Sequence, residues 1–130
     1  MEDELSDSDA VWNRAATEDG GALSAPGDLA LAALLHAHGL IMNGGVLHAV
    51  ELLTEDERSD AQNGFRFFGL AEVASLLSRA KHSLDEGQGL DDLESRLDSD
   101  YTTLVPDDSF LYHRFESRFR DTPRDFSPIG

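Results

Sequence analysis

The side chains here that could do chemistry are five histidines and a large surplus of carboxylates. The chain of 130 residues holds 26 acidic side chains against 10 basic ones, a formal net charge of -16, and no cysteine. A metal site would therefore be built from imidazole and carboxylate, because thiolate ligands are absent. His36 and His38 stand two residues apart. On a helix that spacing turns them about 200° away from each other, so they cannot share an ion without unwinding. His48 could join one of them only through the tertiary fold. The stretch DEGQGLDDLE, 85–94, is acidic and glycine-bearing like a calcium loop. It fails the pattern: Gly87 and Gly89 fall at the third and fifth ligand positions counted from Asp85, and Leu90 stands where glycine is needed. The residues imply no metal and no cofactor.

Catalysis fares no better. The pairs Asp91 with Asp92, and Asp107 with Asp108, could act as acid and base only if one partner were desolvated. In a dense acidic run poor in lysine, the expected state is solvated. No serine sits in a nucleophile-elbow pattern, and NGG (43–45) and NGF (63–65) lack the glycine spacing and the lysine of a phosphate loop. The expectation is a protein that is not an enzyme. A hydrolase or metalloenzyme using His36, His38 or His48 with carboxylates stands as a third alternative.

The charge is distributed in blocks. Residues 1–20 carry Glu2, Asp3, Glu4, Asp7, Asp9, Glu18 and Asp19 against Arg14; residues 85–108 carry a second acidic block against Arg96. Such a chain is repelled by a nucleic-acid backbone, so direct nucleic-acid binding is not expected. The same field attracts and steers a basic protein. Asp85, Glu86, Asp91, Asp92, Glu94, Asp98 and Asp100 form the candidate partner-binding ridge. The start, MEDELSDSDA, has no basic segment followed by an apolar one. The longest apolar run, Leu29 to Met42, is broken by His36 and His38 and is shorter than the ~20 residues of a membrane span. A soluble, cytoplasmic protein with no membrane contact is expected.

Helical spacing must position these groups. Asp28 is a candidate N-cap for a helix to about Met42, apolar nearly all round and therefore central. Val46, Leu47, Val50 and Leu53 make the stripe of a short second helix. Thr54 and Glu57 have capping-box spacing for a third, with Ala61, Phe65 and Phe68 inward and Gly64 costing it about 1 kcal/mol relative to alanine. Gly69 precedes a fourth helix, about Leu70 to His82, with Val73, Ala74, Leu77 and Ala80 at core spacing. Leu90, Leu93 and Leu97 line one side of a fifth, whose other sides show Asp91, Asp92, Glu94 and Asp98. Asp108 or Ser109 caps a sixth, with Leu111, Phe115 and Phe119 inward and Arg114 and Arg118 on a solvated side, available to the nearby acids. Pro123 and Pro128 end regular structure. Asn43, Gly44 and Gly45 read as a helix-to-helix corner.

That corner also carries a resemblance. MNGGVLHAV, Met42 to Val50, followed by the capped helix, Gly69 and AEVASLLSRA, 71–80, resembles a family named after a bacterial DNA-mimic protein. Its mark is Asn-Gly-Gly, then an aromatic, then glutamine and aromatic residues, with a later glycine opening an Ala- and Leu-rich helix. Asn43, Gly44, Gly45 and Gly69 match; Val46, His48 and Ala49 depart. The resemblance runs from about Leu34 to Ala80, with an echo in the aromatic helix from Phe110 to Phe119. It implies an α-helical fold, no catalytic residues, and in the named member an acidic surface that imitates nucleic acid.

The expected architecture is all-α: a single-domain helical bundle of about six helices over residues 10–130, after an acidic, mobile tail at 1–9. The expected function is to sequester or inhibit a basic protein, such as a DNA-binding one. The alternative is an immunity protein that neutralises a co-encoded toxin. A homodimer is compatible with either.

Overall fold

The computed structural model describes residues 7–18, 25–87 and 89–127. Among them are seven α-helices, one terminal 3-10 turn and no strand. In chain order these are α1 (Asp7–Glu18), α2 (Pro26–Gly44), α3 (Val46–Leu52), α4 (Glu55–Phe67), α5 (Ala71–Glu86), α6 (Leu90–Leu104) and α7 (Asp108–Asp121), with the turn at Pro123–Asp125. The expected all-α single domain is what forms, with one helix more than the periodicity showed. The extra helix is α1. Val11 and Ala15 are its buried pair, too short a stripe to stand out in an acidic segment. Residues 1–6 of the expected tail, and Pro128, lie outside the described residues; Asp7 to Asp9 open α1.

α2 is central, packing against α1, α3, α4 and the terminal turn. α5 lies against α3, α4 and α6, and α7 meets α1 and the turn. Leu31, Leu34, Phe65, Leu76, Leu77 and Phe115 are all fully buried. Burying each such side chain contributes about 1.5–3 kcal/mol, so the packed faces outweigh local penalties of the size of Gly64. That glycine has a tertiary reason. A Cβ there would land against the Ala30 carbonyl oxygen and 3.4 Å from the Leu34 nitrogen, so its absence lets α4 rest on the backbone of α2.

Two caps differ from expectation. Asp28 is not the N-cap of α2: Ala25 is, and Asp28 sits three residues on, accepting the Ala25 N–H at 2.9 Å. Its carboxylate is fully buried and also accepts from Arg14 Nη2 at 2.7 Å and the Ser127 N–H at 2.7 Å. One side chain thus ties α1, the start of α2 and the C-terminal segment. A buried carboxylate is tolerable only with partners of this kind. At α7 the cap is Asp107, whose Oδ1 accepts the Phe110 N–H at 2.9 Å; Asp108 stands one residue inside the helix and its carboxylate points elsewhere. The box at Thr54 forms as expected: Thr54 Oγ1 accepts from Glu57 N at 3.1 Å and Glu57 Oε1 from Thr54 N at 2.9 Å. The Thr54 N–H is the main reason the Glu57 carboxyl lies below its ordinary pKa.

Candidate functional site

α5 ends at Gly87, left-handed at φ 71°, and Gly89 at φ 63° leads into α6. Leu97 and Tyr101 are buried and Leu90, Leu93 and Leu104 half-buried, so this stripe lies against α5 and α3. The first turns of α6 therefore turn Asp91, Asp92 and Glu94 outward. All are exposed, and none makes a hydrogen bond or ion pair among the described residues. Asp85 and Glu86 flank them at the end of α5, held by Lys81 at 2.9 Å and His82 at 3.4 Å. Acidic side chains in a first turn also complement the partial positive charge of the helix N-terminus, so this end of α6 carries the charge without strain.

The candidate ridge does not run on as one surface. Asp98 and Asp100 are half-buried and face different neighbours. Asp98 Oδ1 accepts the Val46 N–H at 2.8 Å, supplying α3 with the N-terminal acceptor that Gly45 lacks. Asp100 borders a cleft against α5, with Glu72, Ser75 and Arg79 on the other wall. Helical spacing placed Asp98 near the solvated side; which flank of α6 meets α3 was a tertiary matter.

The Asn-Gly-Gly corner is narrower than expected. Asn43 and Gly44 belong to the last turn of α2, and only Gly45, at φ 96°, makes the corner. A Cβ on Gly45 would stand 2.9 Å from Asp98 Oδ2, and one on Gly44 would land against the His48 ring. The two glycines thus admit two different side chains, and the motif is joined to the acidic helix through Asp98. Gly69 turns the chain at φ 78° between α4 and α5, where the Leu70 N–H reaches the Phe65 carbonyl at 2.8 Å.

The histidines are dispersed. His36 is exposed, 3.7 Å from Glu57; His48 packs at the corner; His38 is buried, with Nδ1 2.7 Å from the Tyr101 hydroxyl and Nε2 2.7 Å from Asp108 Oδ1. With the imidazole neutral, the Tyr101 O–H donates to Nδ1 and Nε2–H donates to Asp108. A hydroxyl, an imidazole and a carboxylate in line have the form of a nucleophilic triad. Tyr101 is only 2% exposed, however, and burial, helped by the Asp108 charge, pushes its hydroxyl well above the ordinary tyrosine range. Closed to solvent, the hydroxyl has no room to meet a substrate. The group joins α2, α6 and α7, and nothing in the Tyr101 spacing had pointed to it. Among the described residues no three metal-capable side chains come together.

Arg114 and Arg118 do not serve the α6 acids. Arg118 lies 3.9 Å over the Phe67 ring, donates to the Phe67 carbonyl at 2.9 Å and meets Asp125 at 3.5 Å; Arg114 lies over Phe110. Neither arginine neutralises Asp91, Asp92 or Glu94.

The profile of the DMP19-like protein family matches residues 22–127. The chain belongs to that family. The match extends from before α2 to the end of the terminal turn, well beyond the segment around the Asn-Gly-Gly corner that carried the resemblance. DMP19-like proteins are a DNA-mimic family, generally without catalytic activity. No curated protein and no solved structure matches the chain. No helix among the described residues is long and apolar enough to cross a membrane.

Proposed function

We propose that this DMP19-like protein is a non-enzymatic acidic binding protein that occupies the nucleic-acid-binding face of a basic protein, its carboxylates standing in for phosphates. The observation that carries the reading is the uncompensated group Asp91, Asp92 and Glu94 on the first turns of α6, with Asp85 and Glu86 beside it. Three charges among the four residues 91–94 amount to about one per 2 Å of helix axis, near the ~1.7 Å of duplex DNA. Helix packing holds them in place before the partner arrives, which lowers the ordering cost of binding. Such a protein would work in the cytoplasm, where nucleic-acid-binding proteins are met.

The test uses the immobilised protein at low ionic strength against a cell extract, followed by competition with labelled duplex DNA. A basic DNA-binding protein should be retained, released steeply by salt, and prevented from binding the duplex. D91N/D92N/E94Q should lose both effects. Retention of no basic protein, or of one that binds DNA equally well in the complex, would overturn the reading.

A further inference from the structure

The outer face between α2 and α4 carries an open groove that the acidic group on α6 does not explain. Two adjoining hollows, of about 340 and 430 Å³, share Leu29, Ala33 and Asp60. The close approach at Gly64 brings the two helices together with Ala30 and Ala33 as the floor, so no large side chain fills the space above them. Leu29 stands 56% exposed on one wall and Phe67 lines the same hollow. Leaving Leu29 in water forgoes burial that its neighbours in α2 obtain. The opposite rim is acidic: Glu57 and Asp60 on α4 border the groove, and Glu55 and Asp56 follow at the helix start. Arg58 and Arg66 are the cations of α4, Arg66 donating to Asn63 at 3.1 Å, and His36 on the groove lining lies 3.7 Å from Glu57. The four carboxylates Glu55, Asp56, Glu57 and Asp60 still leave the rim acidic.

We infer that this groove docks an amphipathic helix of a partner protein, with leucine-type residues at i, i+3 and i+7 against Leu29, Ala33 and Phe67 and lysine or arginine along the edge facing Glu57 and Asp60. An apolar channel between two helices receives a third by interdigitation, and an acidic rim selects for a basic edge. From Pro26 to His36 the groove runs about 15 Å, matching about ten residues of helix. A strand or an extended peptide would leave its backbone groups unpaired along this helical surface. The surface is separate from the phosphate-like group, because α6 packs on α5 and α3 whereas the groove lies between α2 and α4. The inference does not depend on mimicry.

The test uses a synthetic 14-residue Leu/Lys peptide with helical spacing and a scrambled peptide of the same composition, titrated into the full chain. Amide shifts in the unsubstituted protein should concentrate at Ala30, Ala33 and Gly64. The scrambled peptide should bind at least tenfold more weakly. Ala33→Phe, which fills the floor, should weaken the ordered peptide at least tenfold, and Asp60→Asn by a few-fold, whereas D91N/D92N/E94Q should leave it within twofold. Equal binding of the two peptides, shifts centred on α6, or a larger loss in the α6 variant than in Ala33→Phe would overturn the proposal. The amide mapping decides the matter if Ala33→Phe fails to fold.

Discussion

Two glycine-to-alanine substitutions separate local propensity from tertiary contact. Gly39 and Gly64 both lie inside helices, and alanine at either gains about 1 kcal/mol of helix propensity. Gly39 is exposed, and a Cβ there meets nothing within 4 Å. Gly39→Ala should therefore stabilise the protein by about 0.5–1 kcal/mol. At Gly64 the new methyl meets the Ala30 carbonyl oxygen, a backbone atom that cannot swing away as a side chain tip could. α2 and α4 would have to separate, and overpacking of this kind costs about 1–3 kcal/mol, towards the upper end when the neighbours are backbone. Subtracting the propensity gain leaves a net loss of about 1–2 kcal/mol. Urea denaturation with circular dichroism measures both, and in a thermal scan each kcal/mol is about 4 °C at this size. Gly39→Ala should rise and Gly64→Ala should fall. A Gly64→Ala protein as stable as Gly39→Ala would refute the close approach of α2 to α4, and with it the shallow floor of the groove.

The other predictions concern Tyr101 and the acids of α6. Because the Tyr101 pKa is raised in the folded protein, the native state holds that proton longer than the unfolded chain does. Stability linked to it is complete below pH ~10 and is lost as pH rises above that value, by up to about 1.4 kcal/mol per pH unit. Tyr101→Phe should be about 1–2 kcal/mol less stable at pH 8, having lost the bond to His38, and should fall less steeply between pH 10 and 11. Parallel urea-midpoint curves for the two proteins would refute this. Asp98→Ala should destabilise by about 1–2 kcal/mol by removing the acceptor of the Val46 N–H, while D91N/D92N/E94Q, which gives up only exposed first-turn charges, should move the unfolding midpoint less. A reversed order would mean that the structural and outward-facing acids have been exchanged.

The elements whose causes are local could be read from the sequence. The Thr54–Glu57 box, the central α2 and the stripes of α4, α5 and α6 all follow from spacing a few residues wide. The acidic blocks are a matter of composition. The resemblance was drawn from Asn43, Gly44, Gly45 and Gly69; of these, Gly45 and Gly69 hold the positive φ that restricts residue choice.

Tertiary structure decided what each of those groups does. Asp28 looks like a cap and is a buried tie among three segments, because Arg14 and Ser127 reach it from distant parts of the chain. His38 looks like a metal candidate and is a buried link to Tyr101, 63 residues away, and to Asp108. Among acids of one helix, Asp91 and Asp92 face solvent while Asp98 holds the corner at Gly45. Periodicity says which side of a helix is apolar, but which neighbour covers each flank depends on contacts between residues far apart in sequence. Whether a carboxylate is solvated, paired or capping a helix is settled only by those contacts.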